Sequence, residues 1–333
     1  MARIALVHDI AGVAATQARI LRAAGHEVDQ IALPDFGAEW PWLAKAVTFP
    51  IRLAMYVPTI RRLRREHYDA IHIHWVSRGF VGQLTGKPFL IQAHGSDLHV
   101  HVQTPGLFTL NRRVLEAART IFYVTPNLAS YVARFEAKLA YLPNPVDVRA
   151  LAESPSAPRE VRRILIFTRL DPVKGVERVF PAAERLARDF DVTALAWGPL
   201  TAEYVARYGD HVRFVDPVPH GEVGAFLQQF DLVIGQMEQG VLGLSEIEAM
   251  ACGRPLITGI DRGLYQGDKP PVVSATTADE LVAQVERLRH DAKRLANLAH
   301  EGREWVRRNH GFERHLQLLE QAYFARPGLA RAA

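Results

Sequence analysis

The feature that most constrains the fold of this 333-residue chain is a repeated alternation of short apolar strands with helical segments. The predicted strands, such as Arg3–Val7 and Leu232–Gly235, are nearly continuous apolar runs rather than alternating ones. Such strands are buried on both faces, and intervening helices supply the cover. The sequence therefore predicts an α/β fold made of doubly wound parallel sheets. The remaining predicted strands are Val28–Leu33, Asp69–Trp75, Pro88–His94, Ile121–Val124, Ala140–Leu142, Arg163–Phe167, Val192–Trp197 and Val212–Val215.

The alternation stops and restarts around one segment rich in serine and proline, Glu-Ser-Pro-Ser-Ala-Pro-Arg at 153–159. A segment of this composition between two patterned regions is typical of a linker. We therefore predict an N-terminal domain, a linker, a C-terminal domain and a closing helix that packs back toward the first domain, at 1–152, 153–160, 161–309 and 310–333. Ligands of such sheets bind beyond the carboxyl ends of the strands, so we expect chemistry in a cleft between two facing domains.

Composition excludes several classes of protein. The single cysteine, Cys252, rules out an intramolecular disulfide framework and fits a reducing cytoplasm. A net charge of +4 is too small to indicate nucleic-acid binding. No run of about 18 apolar residues indicates a membrane span, and the N-terminus lacks a signal-peptide pattern. We therefore expect a soluble, cytoplasmic protein.

One region combines apolar and basic character. The helical pattern over Trp42–Arg65 is interrupted by Pro50 and Pro58, so we expect a broken or kinked helix. It joins the apolar stretch FPIRLAMYVPTI to a cluster of arginines at 61–65. Peripheral contact with an anionic membrane and a helix with a solvated basic end both fit this pattern, and the sequence favours the second.

The second half begins with LIFTRLDPVKGVERV, in which Arg169 follows a strand and Lys174 opens a helix five residues later. Two cations at the mouth of a sheet, beside a helix N-terminus, suit a diphosphate ligand. An isolated pair of this kind would usually be two solvated surface charges. The strand–Arg-x-x-x-x-Lys-Gly–helix arrangement makes the phosphate interpretation the favoured one.

The stretch 238–255, EQGVLGLSEIEAMACGRP, joins a polar loop to a short helix. One interpretation is a capping box, in which Ser245 caps the helix and Glu248 reaches back to its N-terminus. In the other, Glu248 accepts hydrogen bonds from a ribose diol while the backbone from Gly243 to Ser245 faces phosphates. Local geometry leaves these two alternatives about even.

The two motifs RLDPVKG and GLSEIEAMACGRPLIT, about seventy residues apart, resemble those of retaining nucleotide-sugar glycosyltransferases of family four, which have the GT-B fold. The resemblance covers nearly the whole chain. IHIHW and PFLIQAHGSD resemble segments of the family's acceptor-side domain, and LPNPVD resembles its Pro-Asn-Gly-Val-Asp segment. The resemblance implies two Rossmann-like domains facing across a cleft, and transfer of a sugar from a nucleoside diphosphate to a hydroxyl acceptor.

The resemblance also implies roles for individual residues. Arg169 and Lys174 match the pair that binds the donor diphosphate and neutralises the leaving group, and Glu248 matches the glutamate that binds the donor ribose. His94 matches the histidine at the reaction centre. The residues that match donor-binding backbone are Gly12 in a glycine loop of the first domain, and Gly243, Leu244 and Ser245 in the second.

This chain also departs from the family pattern. The family's first glutamate, which touches donor-sugar hydroxyls, corresponds to Gly240, and Glu238 lies two residues too early to replace it. Glu246 is an alternative contributor, but we expect its side chain to face solvent. Pro145 stands where the family has glycine, and the first glycine loop retains only Gly12.

No metal is expected, because Arg169 and Lys174 supply the cations that the leaving diphosphate requires. The one Asp-x-Asp, Asp189-Phe-Asp191, falls at a predicted helix-to-strand turn and is interpreted as structural. His72 and His74 share one strand face, a formal metal geometry, but strand histidines are more often satisfied core residues. His99 and His101 follow the His94 loop and are left undecided.

The sequence therefore predicts a metal-independent, retaining glycosyltransferase without a cofactor. Its expected partners are a nucleotide-sugar donor and a small-molecule, glycan or lipid-linked acceptor, with no nucleic acid. A nucleotide-sugar epimerase or hydrolase of the same fold is one alternative. A non-catalytic nucleotide-sugar-binding subunit is another, motivated by Gly240. The base, the sugar, the acceptor and the oligomeric state are left open.

Overall fold

The computed structural model describes residues 1–34, 40, 44, 47–95, 97–98, 107–151 and 157–324. These residues form two compact units, Met1–Pro145 together with His315 onward, and Val146–Arg314. Part of the predicted linker (153–156), together with His99 and His101, lies outside the described residues.

The first unit contains a sheet of six strands that are all parallel. The strands are β1 (Arg3–Val7), β2 (Glu27–Ile31), β3 (Ala70–His74), β4 (Leu90–Ala93), β5 (Thr120–Tyr123) and β6 (Leu139–Tyr141). Their order across the sheet is β2-β1-β3-β4-β5-β6, so the chain reverses its direction of travel between β1 and β3. β3 and β4 are buried along their whole length, as their apolar runs predict.

Helices cover this sheet. They are α1 (Val13–Ala23), α2 (Phe49–Ala54), α3 (Val57–Arg65), α4 (Phe80–Thr85) and α5 (Leu107–Ala117), with 3₁₀ segments at Val76–Arg78 and Pro126–Lys138. The kink predicted in the proline-containing helix is confirmed. The chain breaks at Met55–Tyr56, and Pro50 and Pro58 each lie in the first turn of a helix, where a missing N–H costs nothing.

The second unit contains another all-parallel sheet of six strands. The strands are β7 (Arg163–Ile166), β8 (Asp191–Leu195), β9 (Arg213–Val215), β10 (Leu232–Ile234), β11 (Leu256–Thr258) and β12 (Val273–Ser274). The order β12-β11-β10-β7-β8-β9 is the doubly wound order of a dinucleotide-binding fold, with its reversal between β7 and β10.

The helices of this unit follow its strands and close the chain. They are α6 (Val148–Leu151), α7 (Val176–Leu186), α8 (Thr201–Tyr208), α9 (Val223–Leu227), α10 (Leu244–Ala251), α11 (Ala278–Leu288), α12 (Ala292–His310) and α13 (Phe312–Phe324), with 3₁₀ turns at Pro172–Lys174, His220–Glu222 and Arg262–Leu264.

The boundary between the units differs from the predicted domains. The first unit ends at Pro145 rather than at 152, and the chain returns to it at His315. Leu319 and Tyr323 of α13 are buried in a cluster with Ile4 of β1 and Phe122 of β5, which fixes the closing helix on the first unit.

The predicted fold class of two doubly wound parallel sheets is confirmed, and every predicted strand lies within two residues of an observed one. The segment Pro126–Lys138 is a 3₁₀ helix that bends at Phe135. Asp189 and Asp191 lie at the turn from α7 into β8, as predicted. β11 and β12 are not among the predicted strands, because runs of three and two residues give little periodic signal.

Candidate active site

The reversal of strand order in the second sheet brings together the two segments that follow β7 and β10. The N–H of Met237, after β10, donates to the carbonyl oxygen of Lys174, after β7, at 2.8 Å. Gly175 lies so close to this loop that a β-carbon there would meet the nitrogen of Glu238 at 3.1 Å, and its φ of +69° is left-handed. Glycine is therefore required where the two segments touch.

The segment after β7 carries the two predicted cations. Asp171 caps the 3₁₀ turn Pro172–Lys174 by accepting the N–H of Val173 at 3.2 Å. The Nζ of Lys174 donates to Oε1 of Gln239 at 3.1 Å, so the lysine faces the loop after β10. The Nε of Arg169 lies 3.6 Å from the carboxylate of Asp171, and half of the arginine side chain remains exposed. Both cations stand at the carboxyl edge of the sheet.

Gln236 holds the loop after β10 and was not predicted. Its side chain is fully buried and its Oε1 accepts the N–H groups of Glu238 and Gln239, at 2.9 and 2.6 Å. Its Nε2 donates to the carbonyl oxygen of Val241 at 2.6 Å. One amide therefore satisfies three backbone groups of a loop that has no regular partner. A glutamine directly after a predicted strand was the only sequence signal.

The capping box of Ser245 and Glu248, one of the two alternatives left open by the sequence, is not formed. Helix α10 begins at Leu244, with Gly243 as its N-cap, so the third helical position is Glu246. The carboxylate of Glu246 accepts the N–H of Gly243 at 3.0 Å and the N–H of Gln236 at 2.9 Å. The expectation that Glu246 faces solvent is wrong, because these two bonds bury it to 3% exposure.

Glu248 is consequently not needed to begin the helix. It is 6% exposed, and burial together with the negative charge of Glu246 raises the pKa of Glu248 from 4.5 to about 7. The Nδ1 of His220, on an exposed side chain, lies 3.7 Å from Oε1 of Glu248. A buried carboxyl of this kind, at the carboxyl edge of a sheet, is a candidate for ligand binding.

Gly240, the position of the missing family glutamate, has a backbone that disfavours any side chain. Its φ is +69°, and a β-carbon would lie 3.3 Å from the β-carbon of Asp261. The N–H of Asp261 donates to the carbonyl oxygen of Gly240 at 2.9 Å, which fixes the turn. The neighbouring side chains point elsewhere: Glu238 pairs with Arg178 and Gln239 accepts from Lys174. Glu238 therefore does not replace the glutamate.

His94 lies directly after β4 in the first unit, and Asp97 fixes its loop. The buried carboxylate of Asp97 accepts the N–H groups of Val76, His94 and Gly95, at 3.1, 3.0 and 2.9 Å. The Nδ1 of His74 lies 3.0 Å from Nε2 of His94, so one of the two rings donates to the other. Burial and the nearby charge of His8 lower the pKa of His94 to about 3, which keeps its imidazole neutral.

The histidines of β3 make protein contacts. The Nδ1 of His72 is 2.7 Å from the hydroxyl of Tyr323, and its ring stacks on His74 at 4.7 Å. Burial lowers the pKa of His72 to about 3 and lowers that of His74 as well. In the part of the chain that the structure describes, no three His, Cys, Asp or Glu side chains are grouped as metal ligands.

Gly12 lies in the first unit, immediately before α1. Its backbone is left-handed, with a φ of +74°, and two residues before it, His8 and Ala11, are left-handed as well. The carboxylate of Asp9 accepts the N–H groups of Ala14 and Ala15, at 2.9 and 3.4 Å, so two N–H groups at this helix start already have an acceptor. The loop leaves the backbone of Gly12 exposed.

The structure thus assembles the predicted residues of the second unit at one edge of its sheet. These are Arg169, Lys174, Gly243, Leu244, Ser245 and Glu248. His94 and Gly12 lie at the carboxyl ends of β4 and β1, which is the corresponding edge of the first sheet. Gln236, Glu246 and Asp97 hold these loops and were not predicted as site residues.

Two family models match the chain, one to each unit. Residues 161–291 match the model described as "Glycosyl transferases group 1", and residues 10–145 match the "Glycosyl transferase 4-like domain". Together they span most of the sequence and include the edge of each sheet described above. The chain belongs to the glycosyltransferases of family four. It is therefore a GT-B glycosyltransferase.

Curated relatives are moderately similar. The chain is 26% identical over 328 residues to a 2-deoxystreptamine glucosyltransferase of Streptomyces kanamyceticus, covering 87% of this chain and 83% of the relative. It is also 26% identical over 305 residues to a GDP-mannose-dependent alpha-(1-6)-phosphatidylinositol monomannoside mannosyltransferase of Mycolicibacterium smegmatis, covering 79% of each.

Solved structures share the GT-B fold. A sucrose-phosphate synthase from Thermosynechococcus elongatus superimposes with a TM-score of 0.75 at 20% identity, covering 97% of this chain and 98% of that one. HepE of Anabaena, solved with UDP and glucose, has a TM-score of 0.73 at 13% identity, covering 98% of this chain and 100% of that one.

Among the described residues of our chain, no helix is long and apolar enough to cross a membrane.

Proposed function

We propose that this glycosyltransferase moves a sugar from a nucleoside-diphosphate sugar to a hydroxyl acceptor, with retention of anomeric configuration and without a metal. The observation that carries the proposal is the edge of the second sheet, where Arg169 and Lys174 stand beside the loop that leads to Glu248. A doubly wound sheet binds nucleotides at this point of strand reversal.

The proposed work of the cations is electrostatic. As the glycosidic bond breaks, the leaving diphosphate gains negative charge, which Arg169 and Lys174 neutralise together with the first N–H groups of α10. Lys174 donates a hydrogen bond to Gln239, which positions its ammonium group, and the backbone of Gly175 fixes the turn that carries the lysine. These preorganised charges support the metal-independent form of the reaction.

Glu248 is proposed to accept hydrogen bonds from the donor ribose. Its alternative role as a helix cap is removed, because Glu246 performs that task. His94 is proposed to lie at the reaction centre, where its neutral imidazole would exchange a hydrogen bond with the transferred sugar. Gly12 is proposed to approach the diphosphate through its exposed backbone. Retention itself is supported by family membership.

The relatives narrow the proposed substrates. One relative glucosylates 2-deoxystreptamine and another uses GDP-mannose to extend a phosphatidylinositol mannoside. We therefore propose a hexose donor, and an acceptor that is a polyhydroxylated ring, a glycan or a lipid-linked sugar. The cytoplasm, where nucleotide sugars are made, is the proposed location.

One experiment tests the proposal. A thermal-shift screen over UDP-, GDP- and ADP-sugars should identify a donor that raises the melting temperature, because a ligand bound only to the folded state stabilises it. With that donor and an acceptor panel, Lys174→Ala and Arg169→Ala should each lower kcat by about 100-fold. Arg207→Ala, an exposed arginine of α8, serves as the control.

The outcomes separate the alternatives. Free nucleotide or an epimerised sugar in the absence of any acceptor would favour a hydrolase or an epimerase. Donor binding without turnover across the panel would favour a non-catalytic binding subunit, the alternative that the missing side chain at Gly240 motivates. A transfer rate left intact in Lys174→Ala would refute the assignment of this edge as the active site.

A further inference from the structure

Asp261 is an exposed aspartate at the carboxyl edge of the second sheet, three residues beyond the end of β11. One oxygen of its side chain, Oδ1, accepts the N–H of Gly263 at 2.8 Å and caps the 3₁₀ turn that follows. In the part of the chain that the structure describes, its other oxygen, Oδ2, has no hydrogen bond and no cationic partner. The side chain therefore keeps one acceptor oxygen for a ligand.

Two hydrogen bonds fix the loop that carries Asp261 against the loop after β10. The N–H of Asp261 donates to the carbonyl oxygen of Gly240 at 2.9 Å. Four residues later, the buried hydroxyl of Tyr265 accepts the N–H of Leu242 at 2.8 Å. The two loops therefore form one rigid rim, and a binding group that is already held in place loses little freedom when a ligand arrives.

The same rim connects Asp261 to the proposed diphosphate site. Gly240 directly follows Gln239, whose Oε1 accepts a hydrogen bond from the Nζ of Lys174 at 3.1 Å. The β-carbon of Asp261 is 3.3 Å from the position that a β-carbon of residue 240 would take. Asp261 thus begins its side chain at a point where the neighbouring loop has no side chain of its own. Because the sugar of a donor is joined to its diphosphate, a carboxylate beside Gly240 is a neighbour of the sugar.

Four other carboxylates near this edge already have a task. Asp171 caps the turn after β7 and faces an arginine, and Glu238 pairs with another arginine. Glu246 is buried and accepts two backbone N–H groups, and Glu248 is buried and is assigned to the donor ribose. Among these five carboxylates, Asp261 is the exposed one with an unpaired oxygen.

We propose that Asp261 accepts hydrogen bonds from hydroxyl groups of the transferred sugar and so contributes to the choice of donor. A carboxylate oxygen is a strong acceptor for a hydroxyl, because the bond is assisted by charge. The inference rests on the proposed function, which places the donor diphosphate beside Lys174. Asp261 belongs to the loop after β11, so the absence of a side chain at Gly240 does not leave the sugar without a carboxylate.

Capping the 3₁₀ turn is the purely structural role of Asp261, and asparagine separates the two roles. Asparagine caps a turn as well as aspartate does, so Asp261→Asn keeps the bond to Gly263 and removes the negative charge. Its melting temperature should equal that of the wild type. A matched control is Asp291→Asn, because Asp291 is an exposed aspartate that caps α12 by accepting the N–H of Arg294 at 2.9 Å.

Titration calorimetry then compares each nucleotide sugar with its own nucleoside diphosphate: UDP-glucose with UDP, GDP-mannose with GDP, and ADP-glucose with ADP. For the pair that binds the wild type, Asp261→Asn should weaken binding of the nucleotide sugar about tenfold, the size of a hydrogen bond to a charged group. The nucleoside diphosphate alone should bind Asp261→Asn at least as tightly as the wild type, because a negative charge near the diphosphate is removed. Asp291→Asn should match the wild type with both ligands.

Donors that each lack one sugar hydroxyl identify the hydroxyl that Asp261 holds. One of these deoxy donors should bind the wild type and Asp261→Asn with the same affinity, because the hydrogen bond is already absent from both complexes. The other deoxy donors should show the same loss in Asp261→Asn as the complete donor.

Three results would overturn the inference. They are an unchanged affinity of Asp261→Asn for the nucleotide sugar, an equal loss of affinity for the nucleoside diphosphate, and an equal loss with every deoxy donor. In each of these cases the wild type still binds the nucleoside diphosphate, so the proposed function stands. If none of the six ligands bound the wild type, the proposed function would fail, and the inference would fail with it.

Discussion

Replacing Glu248 by glutamine should make the protein more stable at neutral and alkaline pH while weakening its proposed donor site. The carboxyl is 6% exposed, and burial beside Glu246 raises its pKa from 4.5 to about 7. Between these two values the folded protein holds a proton that the unfolded chain has lost. The free energy of unfolding therefore falls as the pH rises through this window, and it stays lower above it.

The size of the effect follows from the two pKa values. This difference in pKa lowers the free energy of unfolding by about 3 kcal/mol at pH 8, and it lowers it hardly at all at pH 4.5 or below. Glutamine has the same shape as glutamate and cannot ionise, so the free energy of unfolding of Glu248→Gln does not show this fall at high pH. For a unit of this size the variant should melt roughly 6 to 12 °C above the wild type at pH 8.

Thermal unfolding from pH 4.5 to 8 gives the measurement, because the titrating groups that do not interact with Glu248 are shared by the two proteins and cancel in the difference. Glu238→Gln, which removes an exposed carboxylate ten residues earlier, is the control. A difference in melting temperature between the wild type and Glu248→Gln that stays constant from pH 4.5 to 8 would refute the reasoning. A gain that grows equally in the control would refute it too.

Three further substitutions probe the loops. Gly240→Glu, which restores the family residue, should destabilise the protein by about 1–2 kcal/mol in chemical denaturation, because φ is +69° there; an unchanged midpoint would contradict the strained geometry. Gln236→Leu should cost more than about 2 kcal/mol, since three backbone groups lose their partner, whereas Gln229→Leu serves as the comparison. Asp97→Ala should cost about 3 kcal/mol and lower kcat by displacing His94, and a normal kcat in the folded variant would contradict that dependence.

The strands were predictable because a buried parallel strand must be apolar along its whole length. This signal is local, and it recovered the sheets of both units. β11 and β12 escaped it, because runs of three and two residues carry little pattern. The division of the chain was predicted a few residues late, since packing rather than composition places its boundary at Pro145.

The sequence also predicted the cluster of arginines at 61–65 and favoured a helix with a solvated basic end, and Arg61 and Arg65 are indeed exposed. Whether a helical residue faces solvent depends on what packs against it. The burial of Tyr56, Ile60 and Leu63 fixes which side of α3 faces outward, and no local pattern specifies the orientation of α2 across the break at Met55–Tyr56.

The sequence by itself determined the two doubly wound sheets and the order of Arg169, Lys174 and Glu248, because these depend on local hydrophobicity and on motif spacing. Only the tertiary structure decided which glutamate caps α10. Ser245 and Gly243 are both competent N-caps, and the choice falls on Gly243 because Glu246 bonds Gln236 of the preceding loop as well. That bond buries Glu246 and leaves Glu248 outside the helix cap, where its own burial, together with the charge of Glu246, raises the pKa of Glu248. No property of the helix sequence alone encodes this arrangement.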